Sequence, residues 1–175
     1  NSPTSSMRRN RLISQTAQNP FPHFAFFSRA RLYTSAQGVI DLSIDGQPVG
    51  DTALAPGWTS YHVYTELDVH DVTTLLSDPT TPRHTLGLRL GDGWFAGRCT
   101  ITGESGQYGT LLRGWWQLTL TRADGSQEVV GADSPCARPP RSTESGPIRY
   151  SDIMIGEHRD DRLAAAVEGW DRPGF

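Results

Sequence analysis

Two aromatic residues and an arginine follow a glycine-rich turn near the middle of the chain. Trp94 and Phe95 come directly after the turn Gly91-Asp92-Gly93, and Arg98 lies three residues further on. An indole can stack on the apolar face of a sugar ring, and a guanidinium can hydrogen-bond to its hydroxyl groups. The same aromatic side chains could instead close one end of a protein core, since aromatic residues are mostly buried. The stretch leaves both interpretations open.

Acidic residues are concentrated in a second region, near the carboxyl end of the sequence. Its four carboxylates are Asp152, Glu157, Asp160 and Asp161. Arg159 and Arg162 lie among them, which favours a solvated network of ion pairs. Carboxylate oxygens on a loop are also ligands that calcium prefers, so a site for calcium or for sugar hydroxyl groups is the alternative. Asp152 and Glu157 are therefore kept as candidate metal ligands, and calcium as the one candidate cofactor.

The sequence contains no recognisable catalytic motif. Glycoside hydrolysis needs two carboxyl groups facing each other across the scissile bond, and no such pair can be singled out among 19 acidic residues. A Gly-x-Ser-x-Gly nucleophile elbow, a phosphate-binding glycine loop and paired zinc ligands are also missing from the sequence. We therefore assign no catalytic residue to this chain.

Short strands must position the candidate residues. Apolar residues recur at every second position over 86–91, 39–44 and 116–121, which is the period of a strand with one buried face. Asp45-Gly46 and Asp124-Gly125 lie next to such strands, and each pair favours a two-residue hairpin turn. The pattern predicts antiparallel hairpins.

Helical periodicity extends nowhere beyond about two turns. One helical turn is predicted over 72–76 with Asp71 as its N-cap, and residues 163–167 could form another. Eighteen glycines and twelve prolines suit many short strands joined by turns. The sequence thus predicts an all-β fold, an antiparallel β-sandwich or jelly roll with one or two short helical turns.

Length, charge and cysteine content narrow the class of protein. The 175 residues are enough for one domain with its own core. A net charge of −3 argues against a nucleic-acid partner, and no run of about 18 apolar residues is present to enter a membrane. Cys99 and Cys136 are too few for a disulfide-built domain, which favours two thiols over one disulfide. No complete secretory signal is recognised, so cytoplasmic and secreted locations both stay open.

Changes in composition suggest three segments along the chain. Residues 1–20 are polar and aperiodic, and we expect a flexible leader there. Residues 21–162 contain the predicted strands and are expected to form the β-sandwich domain. Residues 163–175 are expected to begin an inter-domain linker.

A series of short motifs runs in a characteristic order through residues 29–175. They are ARLY (30–33), IDGQPVGD (44–51), LAPGWTSY (54–61), DVTTLL (71–76), LGDGWFAGR (90–98), YG (108–109), SDI (151–153), GE (156–157), Asp160, Arg162 and GWDRPGF (169–175). This ordered set resembles the N-terminal accessory β-sandwich of bacterial α-L-rhamnosidases.

The resemblance implies a galactose-binding-like sandwich within a multidomain glycoside hydrolase. The catalytic (α/α)₆ barrel and the other domains of the same parent chain would be its partners. Relatives of this domain include calcium-dependent rhamnose-binding modules, so the resemblance also implies a rhamnosylated glycan as a ligand.

Two hypotheses for the function follow. In the first, the domain binds carbohydrate without catalysing its hydrolysis, and seven residues form the site: Trp58, Trp94 and Tyr108 as a stacking face, with Asp92, Arg98, Asp152 and Glu157 as contacts to hydroxyl groups or calcium. In the second, the domain only packs against its neighbours, and Trp58 and Trp94 belong to the core. The exposure of the two indoles distinguishes these hypotheses.

Overall fold

The computed structural model describes residues 11–18, 27–78, 81, 83–135 and 137–175 of the chain. Cys99 is a free thiol. Cys136 lies outside the described residues. The prediction of two thiols in place of one disulfide therefore stays a prediction.

The described part of the chain forms eleven strands and two short helical segments. The strands are β1 Arg11–Gln18, β2 Phe27–Gln37, β3 Val39–Ile44, β4 Gln47–Pro48, β5 Asp68–Asp71, β6 Arg83–Gly91, β7 Arg113–Arg122, β8 Gln127–Gly131, β9 Arg141–Thr143, β10 Ile148–Asp152 and β11 Gly156–Arg159. The helical segments are α1, Gly93–Ala96, and a terminal 3₁₀ helix, Asp161–Val167. None of the described helices is long and apolar enough to cross a membrane.

Two antiparallel sheets pack face to face. The larger sheet has the strand order β4-β3-β6-β1-β9, and the smaller has the order β5-β2-β7-β8. Strands β10 and β11 form a separate antiparallel hairpin. The predicted all-β antiparallel sandwich with few helical residues is confirmed.

Side chains from both sheets meet in one apolar core. Leu42 of β3 lies opposite Leu88 of β6, and Leu32 of β2 lies opposite Leu118 of β7. Leu32, Leu42 and Leu88 are buried, and Leu118 packs against them half-buried. Each fully buried leucine stabilises the fold by about 1.5–3 kcal/mol. The two-residue alternation in the sequence therefore identified the inner face of these strands correctly.

Both predicted hairpin turns are present. Asp45 and Gly46 have positive φ angles of 52° and 79°, as a type I′ turn between right-twisted strands requires. The Asp45 carboxylate also accepts a hydrogen bond from the backbone N–H of Thr85, at 2.7 Å, which ties the turn to β6. Asp124-Gly125 turns β7 into β8, and Oδ1 of Asp124 accepts the N–H of Ser126 at 2.9 Å.

The short helical turns were predicted in part. Asp71 accepts the N–H of Thr73 at 3.0 Å, and the turn that follows buries Val72 and Leu76, as expected. The terminal 3₁₀ helix covers the stretch 163–167. Segment α1 was not predicted, because a single helical turn is too short to show helical periodicity.

The range predicted as a flexible leader contains a strand. Residues Arg11–Gln18 form β1, which pairs with β6 over its whole length and with β9 over three residues. A polar segment can do this because the edge of β6 offers backbone N–H and C=O groups that any strand can pair. Residues 1–10 and 19–26 lie outside the described residues.

The range expected to begin a linker lies on the sandwich. Val167 is buried, and the hydroxyl of Ser43 donates a hydrogen bond to Oδ2 of Asp171 at 2.7 Å. Nη1 of Arg141 donates to the carbonyl oxygen of Phe175 at 2.8 Å. We call residues 168–175 the terminal segment; it packs on the outer face of the larger sheet.

Candidate functional site

Two tryptophans form a parallel pair at one end of the sandwich, and we call Trp58 and Trp94 the aromatic pair. Their ring centroids are 6.4 Å apart and their planes differ by 4°. Trp58 is 55 % exposed, whereas Trp94 is half-buried against the core. The pair thus joins an open indole to an anchored one.

The chain seats Trp94 through a close backbone contact. Gly93 opens α1 with a φ of +51°, and a Cβ there would lie 2.6 Å from Cγ1 of Val39. Only glycine fits this approach, because it has no Cβ and adopts positive φ without strain. The turn Gly91-Asp92-Gly93 therefore fixes α1, and with it Trp94, at the end of β6.

A second aromatic layer lies nearby and closes the core. Tyr61 meets Phe95 edge-on at 5.3 Å and Tyr108 at 5.0 Å, and His62 lies 5.3 Å from Tyr108. The Tyr61 hydroxyl donates to the carbonyl of Gly57 at 3.0 Å. Burial, together with the neighbouring Tyr108, raises the pKa of Tyr61 to about 12. Phe95 is buried, as the core-closing interpretation expected for the aromatic residues after the turn; Tyr61, which that interpretation did not include, packs against it, with the half-buried Tyr108 at the edge.

Three polar side chains form a closed network that we call the Asp152 cluster: Arg98, Tyr150 and Asp152. Oδ2 of Asp152 accepts the backbone N–H of Arg98 at 3.0 Å and its Nη1 at 3.3 Å. The same Nη1 donates to the Tyr150 hydroxyl at 2.9 Å. Oδ1 accepts the N–H groups of Met154 and Ile155 at 2.9 and 3.2 Å. Both carboxylate oxygens are therefore engaged within the protein.

The Asp152 carboxylate stays ionised although it is buried. Its side chain is 2 % exposed, and burial by itself raises the pKa of a carboxyl group. The three backbone N–H groups and the Arg98 guanidinium outweigh burial and hold the pKa of Asp152 below its usual value. The cluster joins the β10–β11 hairpin to Arg98, two residues after the end of α1, so it acts as a structural connection.

The remaining acidic candidates do not converge. Gly156 pairs with Asp152 and Glu157 with Ser151, so Asp152 and Glu157 project from opposite faces of the hairpin. Asp92 is buried where β6 enters α1, and Glu157 is exposed. Nowhere in the described part of the chain do three or more His, Cys, Asp or Glu side chains form a group suited to a metal ion.

The other carboxylates of the acidic region form surface ion pairs. Arg162 bonds Asp160 at 2.8 Å, and Arg159 bonds Asp161 at 2.5 Å. The hydrogen bond from Arg162 lowers the pKa of Asp160 to about 2. This agrees with the interpretation of a solvated ion-pair network.

Two residues that shape this end of the molecule were not predicted from the sequence. Tyr150 completes the Asp152 cluster, and Tyr61 supports the aromatic layer. A signal existed for Tyr150, since it lies two residues before Asp152 on one strand and so shares its face. Tyr61 lies in a loop, where no periodicity identifies a buried face.

Fold and site together define an all-β sandwich with an exposed aromatic pair at one end and a hydrogen-bonded acidic cluster that supports the adjoining hairpin. Residues 26–175 match the model of a family described as the α-L-rhamnosidase N-terminal domain. The chain belongs to this family.

Known proteins of this kind are similar in both sequence and structure. An α-L-rhamnosidase of Streptomyces avermitilis is 36 % identical over 148 residues, which are 85 % of this chain and 13 % of that protein. The crystal structure of the Streptomyces avermitilis α-L-rhamnosidase complexed with L-rhamnose matches 97 % of this chain and 15 % of its own, at 34 % identity and a TM-score of 0.76. The native α-L-rhamnosidase of Aspergillus terreus matches 98 % of this chain and 18 % of its own, at 32 % identity and a TM-score of 0.79.

The chain spans less than a fifth of each of these relatives. It therefore matches one domain-sized region of these much larger enzymes. The resemblance to α-L-rhamnosidases in the sequence analysis is confirmed, and the relatives include a fungal enzyme as well as bacterial ones.

Proposed function

We propose that this chain is a non-catalytic accessory domain of an α-L-rhamnosidase and that it binds carbohydrate through the aromatic pair. Membership of the family supports the parent enzyme. One relative has been crystallised with L-rhamnose, which makes this sugar the first ligand to test. A 6-deoxy sugar suits an indole surface, because its methyl group adds apolar area to the face of the ring.

The exposure of Trp58 is the observation that carries this proposal. An indole that served only the core would be covered, yet Trp58 is 55 % exposed and lies parallel to an anchored Trp94. Such a surface can receive the apolar face of a sugar without rearranging the core. With few polar contacts around it, we expect a dissociation constant between about micromolar and millimolar.

The polar part of the proposed site is smaller than the sequence suggested. The Asp152 cluster connects the β10–β11 hairpin to the rest of the domain. Its hydrogen bonds would have to break before Arg98 or Asp152 could bond to a hydroxyl group of a sugar. Trp58, Trp94 and the edge of Tyr108 remain as the stacking face of the proposal. Glu157 and Asp92 remain candidate polar contacts to the sugar. Calcium remains a candidate cofactor.

A titration with L-rhamnose tests this proposal directly. Tryptophan fluorescence is followed to about 100 mM sugar, far above a millimolar dissociation constant, with and without calcium. The wild-type signal should saturate, and Trp58→Ala should remove the part of the change that comes from the aromatic pair. Trp115→Ala is the matched control, since Trp115 is 49 % exposed on strand β7 and should leave binding intact. A flat titration of the wild type under both conditions contradicts the carbohydrate proposal.

The second candidate is a structural module that packs against neighbouring domains. The outer face of the smaller sheet supports it, because Val69, Trp115 and Val129 are exposed there on three different strands. Exposed apolar residues gathered on one face are typical of interaction surfaces. Replacing Val129 by glutamate should then weaken association with the rest of the parent enzyme while leaving the rhamnose titration unchanged.

A hydrolysis assay tests the non-catalytic part of the proposal. The chain on its own should release no rhamnose from a rhamnosylated substrate, because no opposed pair of carboxyl groups is identified in its described part. Turnover that persists through repurification would overturn the accessory assignment, and Asp92→Asn and Glu157→Gln would then show whether these carboxyl groups are responsible for it.

A further inference from the structure

Two neighbouring cavities meet at the terminal segment, beside strands β3 and β4 at the edge of the larger sheet. Their volumes are about 330 and 320 Å³, and both are lined by Gly46, Arg89, Trp170 and Asp171. Neither is lined by Trp58 or Trp94. Each has a volume within the range of small-molecule sites, about 300–1,000 Å³. Together they form a groove that the terminal segment divides.

Close packing holds the terminal segment in this groove. A Cβ at Gly87 of β6 would lie 2.6 Å from Cβ of Asp171 and 3.0 Å from Cη2 of Trp170. The absence of a side chain at Gly87 therefore makes room for both residues. The hydrogen bond from Ser43 to Oδ2 of Asp171 fixes the segment further. Trp170 is half-buried and thus held as a fixed wall between the two cavities.

The lining of the larger cavity has the chemistry of a sugar site. Besides the Trp170 indole, it contains Arg89 as a hydrogen-bond donor, and Asp41 and Asp171 as acceptors. Arg89 and Asp41 are 3.8 Å apart, with the Asp41 side chain 70 % and the Arg89 side chain 40 % exposed, so both can turn to a ligand. His70 and Thr52 complete the polar part of the wall.

The balance of charges selects among ligand classes. In the larger cavity two carboxylates, those of Asp41 and Asp171, face the Arg89 guanidinium, which disfavours an anion such as a phosphate or a uronic acid there. The charged and hydroxyl groups along the wall disfavour a purely apolar ligand, since they would lose water without gaining partners. A neutral ligand with many hydroxyl groups satisfies both conditions, because it pairs with donors and acceptors alike and stacks on the indole.

We propose that the larger cavity of this groove is a second carbohydrate site, which takes a neutral mono- or disaccharide and is independent of the aromatic pair. Trp170 stacks on the sugar ring, and Arg89, Asp41 and Oδ1 of Asp171 bond its hydroxyl groups. This goes beyond the function proposed above, because the groove can bind sugar even if the aromatic pair does not.

The test follows the indole N–H resonance of Trp170 by NMR in the full chain. L-Rhamnose and D-glucose are the two probes, each taken to about 100 mM. Trp58→Ala is used as the background, so that binding at the aromatic pair cannot contribute. At least one probe should shift the Trp170 resonance in a saturable way, with a dissociation constant on the order of a millimolar.

Two variants separate stacking from folding. Trp170→Ala removes the reporter resonance, so its binding is followed by the backbone amide shifts of the residues that line the larger cavity; it should be weaker by about tenfold or more. Arg89→Gln should weaken it severalfold, and because the Arg89 side chain is partly exposed and glutamine keeps its aliphatic stem, the fold should stay intact. Arg141→Gln is the control, since Arg141 contacts the terminal segment but does not line either cavity; it should leave the shift unchanged.

Two outcomes overturn the proposal. One is a Trp170 resonance that neither sugar moves in the Trp58→Ala background. The other is a shift that persists at full affinity in Arg89→Gln, which would mean that the sugar does not occupy the groove. If sugar shifts the Trp170 resonance of the wild type but does not affect Trp58, only the function proposed for the aromatic pair is contradicted.

Discussion

The aromatic pair and the Asp152 cluster are built from the residue types that sugar-binding sites use, but the structure treats them differently. Trp58 remains open to solvent beside Trp94. The Asp152 carboxylate, in contrast, accepts four hydrogen bonds from the protein and is almost fully covered. One region can still bind a ligand, and the other has already used its polar groups internally.

The difference shows that residue type identifies candidates but hydrogen-bond satisfaction decides between them. A buried carboxylate must be paired, because an unpaired one costs several kcal/mol of stability. Once paired, it has little left to offer a ligand. An exposed indole carries no such requirement and keeps its face available.

The largest expected effect is the loss of the Asp152 carboxylate. Asp152→Ala should lower the free energy of unfolding by about 3–5 kcal/mol, because it leaves Arg98 and three backbone N–H groups without their acceptor. Chemical denaturation measures the change. Glu157→Ala on the paired strand is the control, and as an exposed substitution it should stay within about 0.5 kcal/mol. If the Asp152→Ala protein were as stable as the wild type but bound sugar less tightly, Asp152 would be a ligand contact and not a structural residue.

A second closed region, the contact of the terminal segment with Gly87, should respond less strongly. Gly87→Ala places a Cβ 2.5 Å from Oγ of Ser43 and 2.6 Å from Cβ of Asp171. Relieving this overlap should cost about 1–3 kcal/mol of stability.

Gly131→Ala is the matched control for the Gly87 substitution. Gly131 is also a strand residue, but the nearest atom to an added Cβ is 3.9 Å away. It should therefore be neutral or stabilise the fold by up to about 1 kcal/mol, since alanine restricts the unfolded chain. An equal effect of the two substitutions would mean that the terminal segment contributes nothing to the domain, and residues 163–175 would then be a linker, as the composition suggested.

Sequence predicted the parts of this molecule whose causes are local. The hairpins at Asp45-Gly46 and Asp124-Gly125 follow from the turn chemistry of two residues, and the inner faces of β3 and β6 follow from a two-residue period. The cap at Asp71 is equally local. These elements were predicted because each signal and its consequence lie within a few positions.

The features that sequence missed depend on partners far along the chain. Asp152 meets Arg98 across 54 residues, and Asp171 meets Ser43 across 128. The bonds from Met154 and Ile155 to Oδ1 of Asp152 are local, but the residues around Asp152 do not reveal that Arg98 occupies Oδ2. Strand β1 was missed for the same reason, because its stability comes from the edge of β6 and not from its own polar composition.

Acid should reduce the stability that the Asp152 cluster contributes to the fold. It should leave the contribution of the aromatic pair unchanged. The pKa of Asp152 is lower in the folded protein than its usual value of 3.8, so the ionised form stabilises the fold above about pH 4. That stabilisation is lost as the pH falls through the lower, folded-state pKa. Unfolding measured from pH 7 down to about pH 2.5 should therefore show a steeper loss of stability in the wild type than in Asp152→Asn. Asp71 and Asp124 also have lowered pKa values, but both proteins keep them, so the difference isolates Asp152. Parallel curves would show that Asp152 does not titrate with folding.

We expect the smallest effect on stability at Trp58, the solvent-exposed residue of the aromatic pair. Trp58→Ala removes an indole that is more than half exposed, so it should cost no more than about 1 kcal/mol, most of it the stacking on Trp94. Trp94→Ala should cost more, about 2–3 kcal/mol, because that ring is half-buried against the core. Thermal and chemical unfolding of the two variants measure both values. A Trp58→Ala protein as unstable as Trp94→Ala would mean that Trp58 supports the core, and the aromatic pair would then be a packing feature in the same sense as the Asp152 cluster. With Trp58→Ala nearly as stable as the wild type, any loss of sugar binding in that variant reports the missing indole and not a damaged fold.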